Sequence, residues 1–345
     1  MAKPLDADLD PLLLPAVGPW ERLEGARIFV TGGTGFFGAW LLESLLRAHD
    51  RLRLGLAVTV LTRDPEAFRR ARPHLASHAA LSLRRGDVLT LEPFGGDFTH
   101  VLHAATPASA RINADAPRLM FETVVEGTRR VLEVTRRCGA RRFLLTSSGA
   151  VYGRQPPELS HVPEEYAGAP DTCSPASAYG EGKRAAELLC AMAARAHGFD
   201  AIIARCFAFS GPYLPLDEHF AIGNFVRDAL AGGPIRVGGD GTPRRSYLYG
   251  ADLAYWLWSL LARGESARPY NVGSEREVSI AELAETVASV LGVARGVEIA
   301  KAPDPRRTPE RYVPSTRRIR EELGLTETVP LEVAIRRMAD SAGGR

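Results

Sequence analysis

The run Val30-Thr31-Gly32-Gly33-Thr34-Gly35-Phe36-Phe37-Gly38 closes an apolar stretch, Ala26–Thr31, and opens a segment, Gly35–Arg47, whose apolar residues recur at helical spacing. A strand, a glycine turn and a helix in that order restrict this chain more than any other feature. Gly32, Gly35 and Gly38 space the turn as G-x-x-G-x-x-G. The first glycines allow a tight turn and let backbone N–H groups approach a pyrophosphate. The last lets the helix pack closely on the strand, and the helix N-terminus adds partial positive charge. A glycine loop with no ligand is the alternative, but both flanking elements are of the kind a dinucleotide cradle requires. The reading places a dinucleotide against Gly32, Thr34, Gly35, Phe36, Phe37 and Gly38.

The pattern downstream is consistent with that start. Ala57–Leu61, Leu81–Leu83, Thr99–Ala105, Phe143–Ser147 and Ala201–Phe207 read as strands, and Arg118–Cys138 and Ser177–Ala196 as helices. Gly139 stands where a helix C-cap is expected. This alternation predicts an α/β fold, a Rossmann-type doubly wound parallel sheet. After Ser210 the alternation breaks at Gly211-Pro212-Tyr213-Leu214-Pro215, and a helix over His219–Ala231 ends at Gly232-Gly233-Pro234. Further helices are expected at Ile280–Leu291 and Thr316–Leu323. The expected organisation is an N-terminal arm (1–24), a dinucleotide-binding domain (25–206, with a return segment near 240–275), and a smaller interleaved substrate-binding domain (207–239 and 276–345).

Bulk properties exclude several function classes. A formal charge of +2 supplies no global attraction to nucleic acid or to an anionic membrane. The arginine pairs, such as Arg69-Arg70 and Arg136-Arg137, lack the interleaved aromatics of a single-strand binding platform. No apolar run approaches the roughly 20 residues of a membrane span. Cys138, Cys173, Cys190 and Cys206 are far apart, form no C-x-x-C pair and suit reduced thiols in a cytoplasm, so no metal is expected.

Two further segments carry chemistry. Leu144-Leu145-Thr146-Ser147-Ser148 is a strand that ends in hydroxyls. Tyr179 and Lys183 are four residues apart on a helix and share one face. A free phenol has a pKa near 10 and is a poor base at neutral pH, but a neighbouring ammonium favours the phenolate. Tyr179 thus reads as an acid/base, Lys183 as its electrostatic partner and ribose ligand, and Ser148 as donor to the reacting oxygen. Cofactor choice depends on the end of the second strand, where an acid would exclude a 2′-phosphate. Thr62 holds that place and Arg63 follows it. Arg63 either accommodates the phosphate, which favours NADP, or stacks on adenine or faces solvent. Asp87, after Gly86, is either an adenine contact or a turn residue.

These residues together resemble an extended short-chain dehydrogenase/reductase of the nucleotide-sugar epimerase/dehydratase group. The resemblance spans about residues 25–330. It rests on the cradle, His103-Ala104-Ala105, Ser147-Ser148-Gly149-Ala150-Val151-Tyr152-Gly153, Tyr179/Lys183, Arg205 through Gly211-Pro212, Gly239 through Tyr247, Asn271-Val272-Gly273 and Pro305-Arg306-Arg307. It implies a tightly bound NAD or NADP, with Val88, Ala104, Ala105, Thr106 and Phe207 as further cofactor contacts. It also implies a nucleotide-diphosphate sugar held by Ser109, Gly149, Asn224, Arg245 and one of Arg306 and Arg307. Those arginines are otherwise surface charges. A cytoplasmic homodimer is implied as well.

Departures from the family pattern narrow the reaction. Sugar 4,6-dehydratases place Asp-Glu after the strand-end hydroxyl, where this chain has Gly149-Ala150. Neither residue transfers a proton. The same gap argues against a glucuronate decarboxylase that keeps Glu there. Val124 and Ala208 replace asparagines usual in the family. The expected activity is therefore a nucleotide-sugar epimerase working through a transient keto sugar. Alternatives are an NADPH-dependent keto-sugar reductase, a dehydratase, and a non-catalytic dinucleotide-binding regulator.

Overall fold

The computed structural model describes residues 5–14, 18–106, 110–218 and 220–343. Its elements begin with α1 (Asp6–Leu9), β1 (Arg27–Thr31), α2 (Phe36–Leu52), β2 (Ala57–Thr62), α3 (Pro65–Ala71), α4 (Pro73–Ala76) and β3 (Leu81–Arg85). Next come β4 (His100–His103), α5 (Ala110–Asp115), α6 (Pro117–Arg137), β5 (Arg142–Ser148), α7 (Ala178–His197) and β6 (Asp200–Cys206). Short elements follow: β7 (Phe209–Ser210), α8 (Ala221–Leu230), β8 (Ile235–Val237), β9 (Arg244–Arg245) and β10 (Leu248–Tyr249). The remainder is α9 (Gly250–Arg263), β11 (Pro269–Val272), β12 (Val278–Ser279), α10 (Ile280–Leu291), β13 (Val297–Ile299), β14 (Arg311–Tyr312), α11 (Arg317–Leu323) and α12 (Leu331–Gly343).

Seven strands form the parallel central sheet in the order β11-β6-β5-β4-β1-β2-β3. The strand order reverses between β1 and β4, so the carboxyl ends of these two strands form the switch point at which doubly wound sheets bind ligands. Alternating connections and buried strands give the Rossmann-type α/β fold that the periodicity predicts. The core beside β1, β4 and β5 contains Phe29, Val101, Phe143 and Leu145, covered by Val124 and Val131 of α6 and Ala186 and Cys190 of α7.

Contacts divide the chain into two compact units. The first holds the chain up to Val151 together with Pro170–Arg205 and Ala254–Tyr270. The second holds Tyr152–Ala169, Cys206–Leu253 and the chain from Asn271 onward. The return segment is thus Ala254–Tyr270, shorter than the expected 240–275, and Tyr152–Ala169 joins the second unit. Within the arm, Trp20 Nε1 donates to the Leu12 carbonyl at 2.8 Å, and Arg47 of α2 reaches Asp10 at 2.7 Å. Burial of Leu9, Leu12 and Trp20 then fastens the arm to the first unit.

Three elements differ from the periodicity reading. Helix α2 runs five residues past Arg47, to Leu52, and closes at Arg53 in the left-handed region. Helix α3 is absent from the periodicity reading: Pro65 occupies its first turn, and Asp64 accepts the Ala67 N–H at 3.0 Å. Helix α9 is buried along its whole length, with Trp256, Trp258, Leu260 and Leu261 all inside. Its polar residues Asp252 and Ser259 are buried as well.

Candidate active site

At the end of β1 the backbone turns through Gly32, whose φ is +74°. A Cβ there would lie 2.4 Å from the Ala104 carbonyl carbon, so only glycine lets β1 and β4 end this close together. A Cβ on Gly38 would lie 2.2 Å from the Gly33 carbonyl carbon, and one on Gly33 would lie 2.6 Å from Val60 Cγ1. These approaches draw the α2 N-terminus against the turn, with Gly35 as N-cap and Phe36 as its first helical residue. Thr34 and Gly35 are exposed at the mouth, and Phe36 and Phe37 are half-buried beside them. The cradle fits a dinucleotide pyrophosphate: it is a helix N-terminus with open backbone and no side chain in the way.

His103 stiffens this end of the sheet. Its Nδ1 lies 2.7 Å from Thr31 Oγ1 and its Nε2 lies 3.2 Å from Thr128 Oγ1. Thr128 donates its own hydroxyl to the Val124 carbonyl at 2.7 Å, so it accepts from His103 Nε2–H. Thr31 then donates to Nδ1 while its oxygen accepts the Ala105 N–H at 3.2 Å. This network assigns the neutral Nε2–H tautomer. Complete burial, with the nearby Lys183 ammonium adding to it, pushes the His103 pKa down to about 3.

The cofactor-side expectations divide as follows. Arg63 is exposed, and Arg85 Nη1 donates to its carbonyl at 3.4 Å, so two guanidinium groups sit at the carboxyl ends of β2 and β3. Arg85 was missed from sequence. The parallel register that pairs Thr62 with Arg85 puts it there. Asp64, the only carboxylate in this turn, is engaged as the α3 N-cap. Asp87 Oδ1 accepts the Leu89 N–H at 2.9 Å, and Val88 buries its side chain in the core. Ala104, Ala105 and Thr106 line the sheet end beside Gly32. Ser109 lies outside the described residues.

Ser148, Tyr179 and Lys183 all lie in the first unit, with Lys183 between the end of β5 and the Tyr179 ring. Two glycines in α7 make this possible. A Cβ on Gly180 would lie 2.8 Å from the Ala150 carbonyl oxygen, and one on Gly182 would lie 3.3 Å from Val124 Cβ. Helix α7 is therefore seated against both the turn after β5 and helix α6. Lys183 is buried, and its ammonium donates to the Thr146 carbonyl at 2.7 Å and to Thr106 Oγ1 at 2.9 Å. It stands 5.8 Å from the centre of the Tyr179 ring. Ser148 is buried, and its Oγ accepts the Ala150 N–H at 3.1 Å, which orients the hydroxyl proton away from that bond. Gly149 and Ala150 form the start of a 3-10 turn and bring no ionisable group. One turn beyond Lys183, Glu187 accepts Ser147 Oγ–H at 2.5 Å and Arg205 Nη2 at 2.7 Å, which pins α7 to β5 and β6.

The second unit carries the remaining expected residues. Phe207 packs its ring 4.7 Å from that of Tyr312, and the Arg245 guanidinium lies 5.9 Å from the Tyr312 ring. Arg245 also donates to Glu310 at 2.9 Å. Strand β14 pairs parallel with β9, matching Arg311 to Arg244 and Tyr312 to Arg245. Arg244, Arg245 and Arg311 therefore share one small sheet. Arg306 and Arg307 lie in the loop before it, and the Arg306 side chain is 88% exposed beside Asp304. Arg244 and Arg311 were not singled out from sequence. Their only signal was a basic residue beside each of two short strands. Asn224 accepts Arg227 Nη1 at 3.0 Å and lines a cavity of about 340 Å³ with Phe225, Val237, Gly238, Pro243 and Ile280. Among the described residues, no group of three His, Cys, Asp or Glu could hold a metal ion, and no helix is long and apolar enough to cross a membrane.

Comparison with known proteins bears on the fold and the family. The model of the NAD dependent epimerase/dehydratase family matches residues 28–273. UDP-glucuronic acid decarboxylase 1 of Xenopus tropicalis is 32% identical over 318 residues, 92% of this chain and 72% of that protein. UDP-glucuronic acid decarboxylase 5 of Arabidopsis thaliana is 32% identical over 305 residues, 88% of this chain and 86% of that protein. Among solved structures, the UDP-glucuronic acid 4-epimerase of Bacillus cereus superposes with a TM-score of 0.77 at 21% identity, covering 92% of this chain and 99% of its own. DesIV of Streptomyces venezuelae, a dTDP-glucose 4,6-dehydratase with NAD bound, gives 0.77 at 24% identity, covering 92% and 97%. At these identities the structural likeness shows the fold. Motif, sheet and family match converge: the chain belongs to the NAD-dependent epimerase/dehydratase family.

Proposed function

We propose that the protein is a nucleotide-sugar epimerase. The observation that supports this reading most is the pairing of an intact Ser148/Tyr179/Lys183 centre with Gly149-Ala150, where no group can run an elimination. The bound nicotinamide supplies the hydride acceptor and donor. Tyr179, held as the phenolate by the buried Lys183 ammonium, takes the proton of the sugar hydroxyl and becomes the neutral phenol. Ser148 donates to the reacting oxygen and holds it beside Tyr179. The same tyrosine returns the proton once the carbonyl carbon has presented its other face, so no net redox change results. We place the nucleotide in the cavity bearing Asn224, and the diphosphate near Arg244, Arg245 and Arg311, whose guanidinium forks suit phosphate oxygens.

A second reading is favoured by the 32% identity to UDP-glucuronic acid decarboxylases across 92% of the chain. Oxidation of a uronic acid at C4 makes a β-keto acid. The C5–C6 bond then breaks with its electron pair entering the C4 carbonyl, and CO₂ leaves without a base. Gly149 and Ala150 therefore weigh more heavily against dehydration than against decarboxylation.

Arg63 and Arg85 support NADP as the cofactor. A homodimer is the proposed assembly, because Leu188 and Met192 stand exposed one turn apart on α7 and Leu119 and Phe121 are exposed on neighbouring α6. Light scattering tests it, and a monomeric mass would refute it.

One experiment separates the chemistries. The purified protein is incubated with UDP-glucuronic acid, UDP-glucose and dTDP-glucose, and the products are resolved by chromatography and mass. A product of unchanged mass and altered retention supports the epimerase. Loss of CO₂ replaces it with the decarboxylase, and loss of water overturns both. Consumption of NADPH in step with a 4-keto sugar would make the protein a reductase.

A further inference from the structure

Helix α7 starts without a cap of its own. Ser177 occupies the N-cap position but makes no side-chain bond to the helix. The first N–H groups of a helix have no intrahelical acceptor, and a fraying first turn moves whatever side chains it carries. Tyr179 is in that first turn.

The missing cap comes from Asn113, in α5. Its Oδ1 accepts the Tyr179 N–H at 3.1 Å, and its Nδ2 donates to the Ala176 carbonyl at 2.9 Å. A single carboxamide thus holds the residues on both sides of the junction between the 3-10 turn Pro175–Ser177 and α7. Thr106, on the other side of residues 107–109, accepts from Lys183. The stretch between β4 and α6 therefore holds both members of the Tyr179/Lys183 pair, one through the backbone and one through the ammonium.

We infer that Asn113 is a positioning residue for Tyr179: its carboxamide replaces the absent helix cap and sets where the phenol stands relative to Lys183 and Ser148. The inference rests on the acid/base role given to Tyr179 above. Asn113 touches neither cofactor nor substrate in this account. Its effect is carried by the Tyr179 backbone, so it acts on the proton-transfer step and leaves the cradle unchanged. A carboxylate in its place keeps the acceptor for Tyr179 N–H and loses the donor to Ala176. It also adds a negative charge against the Tyr179 backbone, in the turn that carries the phenol, which opposes phenolate formation.

The test compares wild type with Asn113→Ala and Asn113→Asp. Asn113→Ala should lower kcat about 10- to 100-fold with KM and cofactor Kd within about threefold, because positioning errors act on the chemical step. Asn113→Asp should recover kcat to within about fivefold of wild type at alkaline pH, with the acidic limb of its kcat profile moved to higher pH. A purely structural role would lower the folded fraction and leave the limb in place. Amide exchange at Tyr179 needs no substrate, and Asn113→Ala should accelerate it about tenfold or more with core amides unchanged. Unchanged kcat and exchange in a folded Asn113→Ala protein overturns the inference, as does equal loss of kcat and cofactor binding. If Asn113→Ala does not fold, an Asn113→Asp limb that coincides with wild type overturns it. If wild type turns over no nucleotide sugar, the functional reading fails, while the exchange measurement still decides whether Asn113 caps Tyr179.

Discussion

Replacing Gly32 by alanine isolates the close approach on which the cradle depends, provided the strain of its backbone is measured separately. Gly25 supplies the control. Its φ is +63°, and a Cβ there meets nothing within 4 Å. Gly32 has φ +74°, and its Cβ would lie 2.4 Å from both the carbonyl carbon and oxygen of Ala104. Each alanine bears about 1–2 kcal/mol for the left-handed backbone. Each also gains about 0.4–1 kcal/mol from a less flexible unfolded chain, so these two contributions cancel between the variants. What remains at Gly32 is a backbone overlap that no rotamer can relieve. Overpacking of this kind costs about 1–3 kcal/mol. At about 2–4 °C per kcal/mol, the excess at Gly32 corresponds to about 4–8 °C for a central value of 2 kcal/mol. Calorimetry of both variants reads the difference directly, and titration with NAD and NADP adds a second readout. Gly32→Ala should weaken both cofactors more than tenfold, while Gly25→Ala leaves them unchanged. Equal Tm losses and equal cofactor affinities in the two variants would refute the argument that the β1–β4 approach builds the cradle.

Three other outcomes follow from the same geometry. Tyr179→Phe should fold and bind cofactor while losing about 10²–10⁴-fold in kcat, and turnover within about tenfold of wild type removes Tyr179 from proton transfer. His103 is held neutral, with its pKa pushed down from 6.5 to about 3, so the unfolded chain takes up a proton that the folded chain refuses throughout that window. Stability is therefore lost as pH falls from 6.5 towards 3, by about 1.6 kcal/mol between pH 6.5 and 5. Urea unfolding at several pH values should show this loss in wild type and not in His103→Gln, and parallel curves would sink the assignment. Arg63→Ala and Arg85→Ala should each weaken NADP about tenfold and leave NAD nearly unchanged, the low end for a charge-assisted contact because both side chains are exposed. Equal weakening of both cofactors would mean that these arginines meet the adenine instead.

Much of the site could be read from sequence because its parts are encoded locally. Three glycines at fixed spacing after a strand dictate a turn whatever the rest of the chain does. Tyr179 and Lys183 share a face because they are four residues apart on one helix. The reading was weaker wherever a residue's partner is distant. Asp87 has a partner in the Leu89 N–H that only the folded turn brings to it. Arg306 and Arg307 satisfy a short motif, whereas Arg311 joins Arg244 and Arg245 only through the register of β14 against β9.

The sequence by itself determined the strand–turn–helix order, the parallel α/β class, the cradle glycines and the shared helix face of Tyr179 and Lys183. Each follows from a periodicity or spacing shorter than about two helical turns, where covalent geometry alone sets which groups are neighbours. Tertiary structure alone decided where α9 lies, because nothing in its own sequence specifies the distant elements that bury it. It also decided that Gly180 and Gly182 seat α7, that His103 is a single neutral tautomer, and that Asn113 caps the helix carrying Tyr179 from 66 residues away. Those contacts join segments whose meeting depends on closing long loops, and no local pattern records which segments will meet.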